Sequence, residues 1–213
     1  MKIIYLLLLF SLFSYALEIK QKPIIFDQKR VELTKQYIKR HYDLDVVDIK
    51  IEPQIILIHH TGINDFDSSF ERFLNPVLPN DRPDISSAGR LNVSTHFMID
   101  LDGTVYQLMD ETTMARHVIG LNYSSIGIEN VGGENFDDNL TAAQLNANIE
   151  LIEYLQNKYA SIKYLVGHFE YTHFQNHILW LEKDDSYRTI KHDPSPRFMN
   201  DLRKNIKNIK NFR

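Results

Sequence analysis

The sequence predicts an α/β (mixed α+β) domain, a central mixed β-sheet flanked by helices, and three features point to it. Ile55-Ile56-Leu57-Ile58 is an unbroken apolar run between Pro53 and His59-His60-Thr61-Gly62, short and β-branched as a strand buried on both faces is. Leu145, Ile149, Ile152 and Leu155 recur at helical spacing behind Thr141 and Gln144, the two polar residues of a capping box. Thr95–Ile99 and Thr104–Leu108 flank Asp100-Leu101-Asp102-Gly103, whose Asp-Gly step supplies the backbone a tight hairpin needs. Strands alternating with helices in one chain make this class.

The elements follow in order. Lys2, the apolar stretch Ile3–Phe10 and the small residues of Ser14-Tyr15-Ala16 form the pattern of a secretory signal peptide, predicted over residues 1–16. The apolar run stops at Leu17, short of the roughly 20 residues a bilayer span takes; an uncleaved N-terminal anchor is the alternative. Residues 17–53 read as an N-terminal extension whose helix, Gln28–Tyr42, carries Val31, Leu33, Tyr37, Ile38 and Tyr42. The main domain spans 54–200. Within it, Phe66 to Pro83 is rich in Asp, Asn and Pro and reads as a surface excursion. Ser125–Glu129 and Tyr164–Val166 read as strands, and a last helix starts near Pro196 and runs into a basic tail, 201–213. Arg203, Lys204, Lys207 and Lys210 in that region allow weak contact with an anionic wall or membrane surface, or simply a solvated helix face.

Composition narrows the function classes. Hydrophobic residues are 43% and charged residues 24%, ordinary for a globular protein. The net charge of −4 excludes the basic excess of a nucleic-acid binder. The chain has no cysteine, so any metal site is built from His, Asp and Glu, and no disulfide supports the fold. Nothing in the sequence calls for an obligate oligomer.

Polar residues gather just beyond the apolar strands. His59 follows Ile58, Glu129 closes Ser125–Ile128, and His168 follows Tyr164-Leu165-Val166-Gly167. Strand ends in such sheets deliver distant residues into one crevice. Lys191-His192-Asp193-Pro194 lies in the loop before the last helix. Two histidines and a carboxylate, with a fourth position open, are the composition of a catalytic zinc set. Histidines hydrogen-bonded in a polar rim are the other reading, and the scattered spacing does not choose between the two.

Five segments in order supply the choice: Ile55–Gly62 (IILIHHTG), Val93–Gln107 (VSTHFMIDLDGTVYQ), Ser125–Asn130 (SIGIEN), Val166–His168 (VGH) and Lys191–Pro194 (KHDP). Together they resemble the zinc-dependent N-acetylmuramoyl-L-alanine amidases of the type-2 family, which is similar to the peptidoglycan-recognition proteins. The resemblance runs from about Gln54 to Met199. It implies that family's fold, one Zn2+ per chain held by His59, His168 and Asp193, and a catalytic pair of Glu129 and Lys191. It implies peptidoglycan or muropeptides as substrate, cut between N-acetylmuramic acid and L-alanine in wall turnover or remodelling, outside the cytoplasm. His117 falls at a histidine position of the substrate groove, and Asn122 nearby is a second candidate for substrate contact. Strand alternation turns His60 away from the metal, and His96 is expected to pack beside the site. His173, His177 and His192 read as surface histidines.

The chain departs from the short members of the family between His168 and Lys191. The segment Phe169–Ile190 carries Tyr171, Phe174, Trp180 and Tyr187, which suit either a wall or lid over the site or a small core of their own. Two competing functions stand beside the amidase: a peptidoglycan-binding module without catalysis, and an exported zinc hydrolase for another amide. Retention of Asp193, Glu129 and Lys191 argues against the first.

Overall fold

The computed structural model describes residues 17–211, so the predicted signal peptide lies outside the described residues. Seven strands form one mixed sheet: β1 (Ile19–Gln21), β2 (Ile55–His60), β3 (Phe97–Ile99), β4 (Val105–Gln107), β5 (Ser125–Asn130), β6 (Tyr164–Gly167) and β7 (Lys210–Asn211), in the order β1-β4-β3-β5-β2-β6-β7. Only β3 and β4 pair antiparallel; the other neighbours run parallel. Five α-helices accompany them among the described residues: α1 (Gln28–Tyr42), α2 (Phe66–Leu74), α3 (Pro83–Ser86), α4 (Ala142–Lys158) and α5 (Pro196–Asn205).

The central strand β2 divides two cores by strict alternation. Ile55 and Leu57 join Leu33, Tyr37, Ile38 and Tyr42 of α1 on one face. Ile56 and Ile58 join Ile126, Ile128, Leu151, Ile152, Leu155 and Phe198 on the other. The mixed sheet flanked by helices that the sequence predicts is therefore present, with α1 on the first face and α4 and α5 on the second.

Local chemistry sets the ends of the elements. Asp27 caps α1 by accepting from Arg30 N–H at 2.9 Å, and α1 ends where Asp43 turns left-handed at φ 54°. The hairpin turns at Gly103 with φ +88°, and a Cβ there would stand 2.9 Å from the Ala143 carbonyl oxygen at the start of α4. Thr141 and Gln144 close the expected capping box through Gln144 N–H to Thr141 Oγ1 (3.1 Å) and Thr141 N–H to Gln144 Oε1 (2.9 Å).

Four expectations change. The face of α4 that is buried is rotated from the apolar stripe: Gln144 and Asn148 are buried, while Leu145 and Ile149 are only partly so. The buried amide nitrogens all find acceptors, Gln144 donating to Ile99 O and Val131 O and Asn148 to Asn130 Oδ1 and Gln144 O, so polar residues serve as core here. The excursion 66–83 contains α2, capped by Asp65 (Ser68 N–H to Oδ1, 2.8 Å). Phe66, Phe70 and Phe73 at helical spacing pack inward there against a third cluster with Met98 and Leu108, a pattern the abundant Asp and Asn obscure. The N-terminal extension is built into the sheet, β1 pairing with β4. The basic tail is helical only in part, since α5 stops at Asn205 and the chain returns as β7 beside β6; Lys204, Lys207 and Lys210 are exposed, as a solvated face requires. Arg203 turns inward onto Glu170, both side chains 7% exposed.

Candidate metal centre and active site

The site forms where β2, β5 and β6 end. Their parallel pairing places His59 directly beside Glu129 in register, and Ile58 beside Gly167, the residue before His168. Each carries an apolar run into the core and releases a polar residue at its C-terminal end. His168 opens a 3-10 turn, His168–Phe174. Glu170 braces that turn by accepting Gly167 N–H at 2.9 Å while pairing with Arg203. Asp193 is tied to the same turn, its carbonyl accepting Phe169 N–H at 2.9 Å.

His59, His168 and Asp193 converge. His59 Nδ1 lies 2.9 Å from His168 Nδ1 and 3.3 Å from Asp193 Oδ2, and His168 Nδ1 lies 2.9 Å from the same oxygen. Among the described residues this is the one group of three or more His, Cys, Asp or Glu able to hold an ion, with its ligand atoms within 4.8 Å of one another. Ligand atoms around a tetrahedral zinc sit roughly 3.3–3.5 Å apart, given bonds of about 2.0–2.1 Å. The observed triangle is slightly tighter than that, and its two imidazole nitrogens and one carboxylate oxygen are zinc ligands by type. The residues fit the metal.

Electrostatics suit the donors to that task. Burial, then the neighbouring His168, lowers the pKa of His59 to about 4, which keeps the ring neutral. Burial alone would raise the Asp193 carboxyl, but His168 and His59 outweigh it and hold the group well below its ordinary value. Glu129 is the opposite case. Burial, then the charge of Asp193, raises its pKa well above the ordinary carboxyl value against the pull of Lys191 and Arg82. Its Oε2 is buried with no hydrogen-bond partner. A desolvated carboxyl with a raised pKa beside a metal-type donor set has the properties that proton transfer calls for.

These groups line one cavity of about 470 Å³, shared by His59, Glu129, His168, Lys191 and Asp193. His117 also lines it, but its closest partner is His59: His117 Nδ1 is 2.9 Å from His59 Nε2, and its Nε2 is 3.1 Å from Ser125 Oγ. Asn122 is the exception. It is fully buried, away from the cavity lining, with Oδ1 accepting His117 N–H (2.9 Å) and Val118 N–H (2.8 Å). Its role is to hold the loop that carries His117, which leaves no surface for substrate. His60 faces the other side of β2 and packs its ring over Gly133, while still touching the cavity edge. His96 is buried, its Nδ1 accepting Gly127 N–H (3.0 Å) and its Nε2 donating to Thr113 O (2.9 Å). His173 and His192 are exposed and His177 is half-buried.

Sequence reasoning passed over Ser125, although it lies on the same face of β5 as Glu129, two alternations back. It passed over Arg72 and Arg82, which line the cavity from the 66–83 segment and offer no motif. Of the two readings of the segment 169–190, the wall is present, with Tyr187 and Thr189 lining the cavity, whereas Tyr171, Phe174 and Tyr187 join the core shared with α1 and β2 rather than a small core of their own.

Comparison with known proteins places this geometry. The family profile described as N-acetylmuramoyl-L-alanine amidase matches residues 50–196. The endolysin of Escherichia phage T7 is 41% identical over 75 residues, 33% of this chain and 50% of that protein. The endolysin of Klebsiella phage KP32 is 36% identical over 84 residues, 38% of this chain and 56% of that one. The chain thus spans about half the length of the curated relatives it matches. Two solved structures share the fold. N-acetylmuramoyl-L-alanine amidase LysC from Clostridium intestinale URNW has a TM-score of 0.51 at 22% identity, covering 91% of this chain and 99% of that one. A selenomethionine derivative of AmpD has a TM-score of 0.55 at 21% identity, covering 89% and 95%. With the profile matched over most of its length, this chain belongs to the type-2 N-acetylmuramoyl-L-alanine amidase family.

Proposed function

We propose that the protein is a zinc-dependent amidase that hydrolyses the bond between N-acetylmuramic acid and L-alanine in peptidoglycan or muropeptides. The observation that carries this reading is the meeting of His59, His168 and Asp193 at 2.9–3.3 Å beside the unpartnered, buried carboxyl of Glu129. Its place is outside the cytoplasm, in wall turnover or remodelling, which rests on the export pattern of residues 1–16.

Zinc held by His59, His168 and Asp193 would supply a Lewis acid that polarises the amide carbonyl and acidifies water. Glu129, with its raised pKa, takes a proton from the attacking water and returns it to the nitrogen of the leaving L-alanine. Lys191 faces the same cavity and offers a positive charge to the oxygen that becomes negative as the carbonyl goes tetrahedral. His117, Tyr187 and Thr189 form walls against which the substrate is aligned.

The test is mass spectrometry of products from defined muropeptides. The reading requires about one zinc per chain, new L-alanine amino termini, and loss of both on chelation. Zinc-loaded protein that retains peptidoglycan but frees no L-alanine terminus would make it a binding module. Cleavage at a different amide would make it another zinc hydrolase.

A further inference from the structure

The proton positions around His59 follow from a chain of contacts that ends on a group able only to accept. Leu121 O is a carbonyl, so Ser125 Oγ, 2.8 Å away, donates its single hydrogen there. The lone pairs left on the hydroxyl face His117 Nε2 at 3.1 Å, which must then be the donor. The nitrogens of His117 meet Ser125 and His59 and no carboxylate. A ring so placed, buried among other imidazoles, carries one N–H. Its Nδ1 is therefore bare and accepts from His59 Nε2 at 2.9 Å. That puts the hydrogen of His59 on Nε2 and leaves its Nδ1 lone pair directed at His168 Nδ1 and Asp193 Oδ2.

We propose that Ser125 and His117 are positioning residues that fix the proton of His59 on Nε2 and so present its Nδ1 bare to the metal. The inference rests on the metal-site reading above and adds to it how one ligand is prepared. Strand β5 is built for the arrangement. Ser125, Gly127 and Glu129 share one face. At Gly127 a Cβ would stand 2.8 Å from His117 Nδ1 and 3.0 Å from Thr95 Oγ1, so glycine leaves the space that the His117 ring occupies. Without the Ser125 hydroxyl, the His117 hydrogen has no acceptor on Nε2. It can then move to Nδ1, where it faces His59 Nε2 and drives the His59 hydrogen onto the metal-binding nitrogen.

Two measurements on the full chain test this. In chelator-stripped, 15N-histidine-labelled protein at neutral pH, long-range 1H–15N correlation should show His117 and His59 each protonated on Nε2. A proton on Nδ1 of His117 overturns the proposal, and this measurement needs no variant. In zinc competition against a chromophoric chelator, Ser125→Ala should weaken binding about tenfold, the scale on which partners of metal-bound histidines act. Ser124→Ala is the control: Ser124 Oγ also donates to Leu121 O, at 3.3 Å, but does not touch His117, and its zinc affinity should match the parent. Equal affinity of Ser125→Ala and parent overturns the relay while leaving the zinc site standing. A parent that binds no zinc removes both.

Discussion

Replacing Glu129 by Gln is expected to move activity and stability in opposite directions. The side chain is 8% exposed and its Oε2 has no partner. Its pKa is raised by burial and then by Asp193, so the folded protein holds this proton more tightly than the unfolded chain does. The contribution of the group to stability is therefore fully present below its ordinary value of 4.5 and is lost as pH rises through the folded pKa. Above that folded pKa the fold carries a buried carboxylate whose Oε2 has no partner. Leaving a buried polar group unsatisfied costs roughly 1–3 kcal/mol, and more when it is charged. Glutamine keeps the shape and removes the charge but still has an amide to satisfy, so about 1 kcal/mol of the gain should survive. For a chain of this size that raises the melting temperature by about 2–4 °C. Turnover should fall about 10²–10⁴-fold, the range for loss of a general base. Thermal unfolding of chelator-stripped protein measures the first effect, and release of L-alanine termini at matched zinc occupancy measures the second. A variant that melts lower than the parent, or one that keeps more than about a tenth of the turnover, would refute the reasoning.

Asp193→Ala removes a ligand outright and should weaken zinc binding beyond the ~100-fold that loss of an outer partner produces, read by chelator competition. Arg203→Ala leaves Glu170 buried and unpaired and should cost about 3–5 kcal/mol in urea unfolding; a loss under about 1 kcal/mol would show that the pair does not brace the His168 turn. Gly127→Ala drives a methyl into the His117 ring and should cost about 1–3 kcal/mol together with weaker zinc binding, checked by melting and competition. His96 is buried and its pKa lowered by that burial to about 4 from 6.5, so the unfolded chain binds its proton more readily. Stability of the stripped protein should fall by about 3 kcal/mol as pH drops from 6.5 toward 4 on its account, and His96→Gln should flatten that part of the profile.

What the sequence displays of this fold depends on whether a residue's partner is close along the chain. The capping box of Thr141 and Gln144, the Asp-Gly hairpin, helix Gln28–Tyr42 and the run Ile55–Ile58 are set by neighbours within a few positions, and each lies where the pattern puts it. Buried amides on α4 were not legible, because the carbonyls that satisfy Gln144 belong to Ile99 and Val131. Nor was the inward turn of Arg203, whose partner Glu170 stands across the sequence and gives a basic tail no visible sign of it. The same rule sorts the site. His59, Glu129 and His168 stand out as polar ends of apolar strands, and the resemblance gives the loop residues Asp193 and Lys191 their places. Asn122 misled because a polar residue near a groove histidine reads alike whether it faces the groove or holds the backbone behind it; its two accepted N–H groups decide the matter.

The segment between His168 and Asp193 shows how the chain can carry a long loop without moving the two proposed ligands. The ends of the segment are joined, Phe169 N–H to Asp193 O at 2.9 Å, so the distance between the two ligands is set by that bond and by the braced turn. The length of chain between the ends has little leverage on them, since each doubling of a loop costs only about 0.6 kcal/mol of closure entropy. The excursion is then held by its own contacts: Leu181 N–H to Gly120 O at 2.9 Å, Lys183 N–H to His41 O at 2.9 Å, and Tyr187 against Arg116 at 3.2 Å. Beneath it, His41 Nδ1 faces both oxygens of Glu182 at 3.0 Å, a buried pair that fastens the segment to α1. The wall that Tyr187 and Thr189 give the cavity can thus change in sequence and length while His59, His168 and Asp193 stay fixed. Substitutions confined to that wall should accordingly alter which muropeptides are accepted and leave zinc affinity untouched.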